Sequence, residues 1–386
     1  MKIYFDNSAT TAVYDEVVEE MVHIMKEAYG NPSSINKMGT EAELFIKEAR
    51  KKIAKSMKCK PEEILFTSGG TEANNIAIMG YLDANRKSGN HIITSAIEHP
   101  SVLNTIKHLE KNGYEVTYLN VDKSGQIDLN ELENSLQKNT VLVSIMYVNN
   151  EIGSIQPIEE IAKRIKQYNK KIVFHVDCIQ GFGKIDCNVK RLGCDLASIS
   201  SHKFHGPKGV GGLFIKKGTK VNPLFFGGGQ ENSLRVGTEN VPGIVGMGKA
   251  AELTAMNVAD HYDYLNSLRL RLVEILEESG LRIKLNTDLD NSAPHILNVS
   301  FLGMKGEIVT HSFEGNELYV STGSACSSKK RMHSHVLQAI DLDLEGLEGA
   351  IRFSFSKTNT LDEVENAGRI IVETVKDLNQ IIKGRI

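Results

Sequence analysis

The chain has no membrane-length apolar run, no extended basic run and no paired cysteines, and each gap removes a class of function. No apolar stretch approaches the roughly 18 residues that suggest a membrane span. The N-terminal Met1-Lys2-Ile3-Tyr4-Phe5-Asp6 turns polar at once, so a soluble cytoplasmic protein without a membrane partner is expected. No cationic run is longer than Lys329-Lys330-Arg331 and the formal net charge is −3, which advertises neither direct nucleic acid binding nor attraction to anionic lipid. The five cysteines, Cys59, Cys178, Cys187, Cys194 and Cys326, include none of the close pairs of zinc or redox motifs. Their odd number fits a reducing compartment; no metal site is expected, and Cys178, Cys187 and Cys194 read as small core or strand-end residues. Neither a G-x-G-x-x-G nor a Walker lysine is present, which disfavours dinucleotides and ATP. Internal repeats, low-complexity segments and Pro-rich linkers are absent too, so two domains would be packed together rather than flexibly tethered.

What the chain does have is length and apolar content. With 386 residues, 41% of them hydrophobic, it can build two domains around a sizeable core. After a short N-terminal segment, residues 40–57 read as an amphipathic helix, 63–67 as a short strand and 72–86 as a helix. Residues 91–95, 115–120 and 141–148 then read as buried strands separated by helical runs, the pattern of an α/β fold with a mainly parallel sheet. From about Asp260 the pattern changes to a long helix ending near Ser279, strands near 295–301 and 350–355, and a closing helix from Leu361. That portion reads as a smaller α+β domain.

Lys203 carries the strongest chemical signal. It lies in the small, polar run Ser200-Ser201-His202-Lys203-Phe204-His205-Gly206, and Asp177 ends the strand-like segment 171–177 shortly upstream. Pyridoxal phosphate chemistry needs such a pair: an amine to hold the aldehyde as a Schiff base, and a carboxylate to keep the pyridine nitrogen protonated. The plain alternatives are a solvated lysine and a helix-capping aspartate. Ser68-Gly69-Gly70-Thr71-Glu72-Ala73-Asn74-Asn75 follows a strand and opens a helix, offering backbone N–H groups to a single small phosphate, or else forming an ordinary turn capped by Thr71. Glu98-His99-Pro100 places an imidazole past a strand, where it could stack on a flat cofactor and shuttle protons. Asn149-Asn150-Glu151 and Gln180 also follow strands, and their amides can hydrogen-bond a phenolic ring oxygen.

The order of Asp6-Asn7-Ser8-Ala9-Thr10-Thr11, Gly30-Asn31-Pro32-Ser33-Ser34, Ser95-Ala96-Ile97-Glu98-His99, Asn149-Asn150-Glu151, His175-Val176-Asp177, Ser200-Ser201-His202-Lys203, Gly227-Gly228-Gly229-Gln230-Glu231, Arg235-Val236-Gly237-Thr238-Glu239 and Ser321-Thr322-Gly323-Ser324-Ala325-Cys326 resembles the NifS/IscS-type cysteine desulfurases of the class V aminotransferase family. The resemblance implies a fold-type I pyridoxal 5'-phosphate homodimer, with a large cofactor-binding domain over 14–257 and a small domain from 1–13 and 258–386. It implies that Lys203 holds the cofactor, Asp177 faces the pyridine nitrogen, His99 stacks on the ring, and Gln180 and Asn150 meet its polar edge. Thr71, Ser200 and His202 would hold the phosphate, joined by Thr238 of the neighbouring subunit, and Glu72 falls among the same contacts. Arg352, with Asn31, would bind the substrate carboxylate, for which a bidentate guanidinium is suited.

Cys326 lies among small polar residues and before three cations, which predicts a mobile loop over about 321–333 and a favoured thiolate. The resemblance makes it the nucleophile that takes sulfur from L-cysteine as a persulfide, leaving L-alanine. The sulfur would pass to an acceptor protein, an iron–sulfur scaffold or a thiolation enzyme such as one acting on tRNA. A selenocysteine lyase or aminotransferase on the same fold is the alternative enzyme reading, against which Cys326 discriminates. A degenerate desulfurase serving as a scaffold is the alternative outside catalysis. Asn36, Ser201, Asn232 and Val236 depart from the family pattern; Ser201 is expected to add bulk beside the Schiff base.

Overall fold

The computed structural model describes residues 2–255, 258–322 and 333–383. In chain order the strands are β1 (Ile3–Tyr4), β2 (Ile64–Thr67), β3 (His91–Ser95), β4 (Glu115–Leu119), β5 (Thr140–Met146), β6 (Val173–Asp177), β7 (Leu196–Ser200), β8 (Gly211–Ile215), β9 (Ile283–Leu285), β10 (Ile296–Phe301), β11 (Leu318–Tyr319) and β12 (Ala350–Ser354). Seven of them form one sheet in the order β2-β8-β7-β6-β5-β3-β4. Pairing is parallel from β7 through to β4, and β8 runs antiparallel to both of its neighbours. The expected mainly parallel α/β sheet is therefore present.

The strands are apolar on both sides, and this buries the sheet between two layers of helix. Successive strand residues point to opposite faces. Leu65 and Phe66, Ile92 and Ile93, Leu142 and Val143, and Leu213 and Phe214 accordingly feed two different hydrophobic clusters. Helices Asp15–Glu27, Lys37–Met57, Ile158–Tyr168 and Val241–Ala255 close one face. The helical run 70–84 and helix Pro100–Lys111 close the other. Each fully buried Leu, Ile or Phe contributes roughly 1.5–3 kcal/mol relative to exposure.

Helix Lys37–Met57 begins three residues before its expected start because Asn36 caps it, its side chain accepting from the Gly39 N–H at 2.9 Å. Ala42, Ile46, Ala49, Ile53 and Met57 then recur at helical spacing on the buried face. The run expected over 72–86 spans 70–84 instead and is not regular. It carries a wide π turn over Ile76–Gly80 between two α segments.

A separate cluster forms around the antiparallel sheet β12-β10-β9 and helices Val258–Glu278, Gly306–Glu314 and Leu361–Lys383. The N-terminus belongs to it: β1 pairs in parallel with β11, and the Phe5 ring meets Phe355 edge-on at 4.9 Å. Residues 6–11 then cross towards the carboxyl ends of β6 and β7, where polar loops gather as expected for a sheet of this kind. Among the described residues, no helix is long and apolar enough to cross a membrane.

Candidate active site

Asp177 is the last residue of β6, and Lys203 lies in the short helical turn Ser201–Lys203 that follows β7. Because β6 and β7 are parallel neighbours, both residues emerge at the same sheet edge. His99 arrives there from the loop after β3, Asn150 from the bend after β5, and Arg352 from β12. Together with Thr71, Gln180, Ser200 and His202 they line one cleft of about 400 Å³. Most of the residues expected to act together are thus brought together.

The N-terminal segment fastens Lys203. Its Nζ donates to the carbonyl oxygens of Ser8 at 2.6 Å and Ala9 at 2.9 Å. Thr11 holds the same turn, donating from its N–H and Oγ1 to the His202 carbonyl at 2.9 and 3.1 Å and accepting from the His205 N–H at 2.7 Å. The polar motif over residues 6–11 is thus a strap across the lysine turn. Ser201 was expected to crowd the lysine, but it does not line the cleft. It is wholly buried beneath the turn, where a side chain at Gly206 would collide with its hydroxyl.

Asp177 is buried and accepts from the Ile179 N–H at 2.9 Å and from Asn74 Nδ2 at 2.8 Å. Burial pushes its carboxyl above the usual range, while the two donors and the Lys203 charge pull it back. The second hydrogen of the Asn74 amide goes to Ser101 Oγ at 2.9 Å, and Ser101 Oγ lies 2.8 Å from His99 Nδ1. The Ser101 N–H also donates to that nitrogen, at 3.1 Å. A nitrogen that accepts from a backbone N–H carries no proton, so neutral His99 holds its hydrogen on Nε2. Burial, with the charges of Lys203 and His335, lowers this imidazole to about 4. At neutral pH it is an uncharged ring able to accept a proton before it can give one as an imidazolium.

At the phosphate-suited end, Gly69 adopts φ 156° and ψ −178°, a backbone region essentially reserved for glycine. Gly211 permits that close approach, since a Cβ there would sit 2.7 Å from the Gly69 main chain. Thr71, Ser200 and His202 all face this end of the cleft. Burial and nearby lysines, Lys203 first, hold the His202 ring down at about 4.

Arg352 is nearly buried and donates to the Asn150 carbonyl and to Asp6 Oδ1, each at 2.8 Å. Asn149 and Asn150 divide their work: Asn149 is buried and builds the bend, bonding the Ile97 carbonyl and the N–H groups of Glu151 and Ile152, whereas Asn150 faces the cleft. Glu151 is buried as well, raised to about 7 by desolvation and accepting from Ser334 Oγ at 2.6 Å.

Two contacts expected here, Asn31 and Glu72, do not reach this cleft, and Thr238 is expected at that of a neighbouring subunit. Asn31 is exposed, its side chain turned to the Ser33 N–H at 2.9 Å. Glu72 accepts from the Ser68 N–H and pairs with Arg235 at 3.0 Å. Thr238 is exposed. Cys326 lies outside the described residues. Sequence reasoning missed Asn74, Ser101, Glu151 and His335; the last lines the cleft and shares a hydrogen bond with the Glu98 carbonyl at 3.0 Å. Only the Ser334 cap ahead of an apolar run marked His335 in the sequence.

This α/β architecture and its sheet-edge lysine belong to a known class. The chain is a member of the class-V aminotransferase family, whose model matches residues 3–367. Within that family it is similar to the cysteine desulfurase IscS of Dictyoglomus turgidum, 46% identical over 380 residues that cover 98% of this chain and 96% of that one. The cysteine desulfurase IscS of Methanosarcina thermophila is 45% identical over 379 residues, covering 98% and 93%. Among solved structures, a NifS-like protein superposes with a TM-score of 0.93 at 42% identity, covering 97% of this chain and all of that one. SspA in complex with cysteine superposes with a TM-score of 0.82 at 35% identity, covering 93% and 100%.

Proposed function

We propose that this chain is a cysteine desulfurase that uses pyridoxal 5'-phosphate to take sulfur from L-cysteine and release L-alanine. The observation that carries this reading is the single cleft joining Lys203, Asp177, His99 and Arg352 in a chain so similar, over nearly all its length, to cysteine desulfurases. The residues fit the cofactor. Asp177 is a buried carboxylate met by two neutral donors, suited to a cationic pyridinium, and Gln180 Oε1 is buried without a hydrogen-bond partner, suited to a ring hydroxyl. Thr71, Ser200 and His202 supply donors for a phosphate.

When bound, the cofactor supplies an aldehyde for an amine and a ring that accepts electrons. Lys203 would supply that amine and would be the base for the substrate Cα proton. Asp177 would favour a proton on the ring nitrogen. His99, an uncharged imidazole, would offer its Nε2–H to the bound group. Arg352, already oriented by Asp6 and the Asn150 carbonyl, binds the substrate carboxylate. Cys326 receives the sulfur as a persulfide, and the remaining carbon skeleton, reprotonated, is L-alanine.

Thr238 and the exposed Phe225 and Phe226, the last 87% exposed, suit a face covered by a second copy of the chain. A homodimer would then bring Thr238 to the partner's phosphate. We also read 14–257 and the remainder as two domains, the remainder packed around a cluster of its own and joined to the larger part where Ile97, Met146 and Ile152 meet Val336, Leu337 and Ile340, and a sulfur-acceptor protein as the onward partner.

The test compares L-alanine and sulfide released from L-cysteine, with a thiol reductant, by the pyridoxal-phosphate-loaded protein and by Cys326→Ala. Matched alanine and sulfide from the parent, lost in a variant that still binds cofactor, is the expected result. A parent that binds cofactor and makes no alanine overturns the reading.

A further inference from the structure

Behind Lys203 stands a second amine that this chemistry leaves unused. Lys184 lies in the turn after β6 and is only 7% exposed, and its Nζ donates to the main-chain carbonyl of Lys203 at 2.7 Å. With Tyr14, His205, Thr254, His261 and Lys357 it lines a chamber of about 20 Å³ that also touches Lys203. That is room for about one water. An ammonium so deeply buried ordinarily has a carboxylate beside it.

Among the described residues, the titratable groups that face Lys184 are of another kind. Cys187 is on its own turn, His202, Lys203 and His205 are on the turn after β7, and His295 precedes β10. His261 and Lys357 face His205 across the chamber. Burial, and then the charge of Lys203, lower Lys184 to about 7. Repulsion between like charges is mutual: whatever an ammonium at Lys203 costs Lys184, an ammonium at Lys184 costs Lys203. The carboxylate that opposes this at Lys203 is Asp177, on the cleft side.

We propose that Lys184 is a positioning residue for Lys203, fastening its main chain and, through a buried like charge, disfavouring a proton on its amine. The inference rests on Lys203 being the cofactor lysine. An ordinary lysine is neutral in only about one molecule in two thousand at pH 7, yet Lys203 must be neutral both to capture an aldehyde and to accept a proton. Lys184 lightens that demand without touching cofactor or substrate.

The test titrates the Lys203–pyridoxal absorbance band of the loaded protein across neutral pH. Lys184→Met removes donor and charge, and the band's midpoint should rise by about one pH unit. Lys184→Gln keeps a donor for the carbonyl without the charge; the same rise is expected with a smaller loss of melting temperature. Lys184→Arg carries its charge at every pH, so its midpoint should lie at or below the parent's. Equal midpoints in the parent and the Met and Gln variants would overturn the proposal, as would a rise in Lys184→Arg that matches Lys184→Gln. The Gln and Arg pair carries the comparison if the Met variant does not fold. Alanine release is followed in the same samples. A midpoint shift without alanine would remove the desulfurase reading and leave this inference standing.

Discussion

Replacing Asn74 with Ala should weaken cofactor binding far more than it weakens the fold. Asn74 is wholly buried; its amide gives one hydrogen to Asp177 at 2.8 Å and the other to Ser101 at 2.9 Å, at the expense of a buried Oδ1 with no partner. Truncation leaves Asp177 with the Ile179 N–H. A hydrogen bond to a charged group contributes about 1.5–3 kcal/mol, which corresponds to roughly 10- to 150-fold in affinity. Burial already lifts the Asp177 carboxyl, so losing a donor lifts it further and converts part of the population to a neutral acid. A neutral acid cannot hold a protonated pyridine. The cofactor-free fold is spared because Asp177 can take up a proton instead.

The assay is the equilibrium dissociation constant for pyridoxal phosphate, followed by absorbance at several pH values, beside the melting temperature without cofactor. The Asn74→Ala defect should be largest on the acid side, where the further-raised Asp177 carboxyl is protonated, and shrink as alkali ionises Asp177 in variant and parent alike. Ser101→Ala removes only neutral bonds, those of its hydroxyl with Asn74 and His99, and about 1–2 kcal/mol is expected, roughly five- to thirtyfold in affinity. Parent-like affinity of Asn74→Ala at the acid end of the series would refute the reasoning, since Asp177 would then hold its charge, or the cofactor, without Asn74.

Three further outcomes follow from single interactions. Burial raises Glu98 from the ordinary 4.5 to about 8, so its folded-state pKa lies above the unfolded one. Its contribution to stability is therefore complete below about pH 4.5 and lost as pH rises through about 8; Glu98→Gln should flatten the fall of melting temperature over that window, and an unchanged slope would contradict it. Arg352→Lys should raise KM for L-cysteine about tenfold or more with the cofactor spectrum unchanged, because one ammonium cannot make a bidentate contact. Arg269 is 1% exposed and donates to Ser292 Oγ at 2.6 Å, Asn266 Oδ1 at 2.7 Å and the Leu289 carbonyl at 2.9 Å. Arg269→Met leaves those acceptors without their donor and should cost about 3 kcal/mol in denaturant unfolding.

Of the parallel strands, β3 to β6 were legible, helped by residues such as Ile92-Ile93 and Leu142-Val143 that are apolar in succession, as a sheet covered on both faces requires; β7, whose Leu196-Ala197-Ser198-Ile199-Ser200 is short and part polar, was not. Nor was strand β8. Its Gly211-Gly212 start has weak strand character, and the glycines serve tertiary approach, to Gly69 and to Ile199, more than local preference. The start of the Lys37–Met57 helix moved for a local reason, the Asn36 cap, that hydrophobic spacing alone does not report.

The candidate site divides along similar lines. A ligand's chemistry restricts which residue types can touch it, so Lys203, Asp177, His99 and Arg352 stand out as motifs in one dimension. The residues that set their protonation carry no such mark. Asn74 reads as a polar helix residue, and Lys184, between Gly183 and Ile185, reads as a turn lysine; Asn74 meets Asp177 across 103 positions of sequence. Only the folded sheet edge brings these segments into register. Asp177 on the cleft side and Lys184 behind the turn, both from the segment around the end of β6, each feel the charge of a lysine from the end of β7, as His99 and His202 do. Two members of one family could share every ligand-touching residue and still differ in working pH through this outer layer.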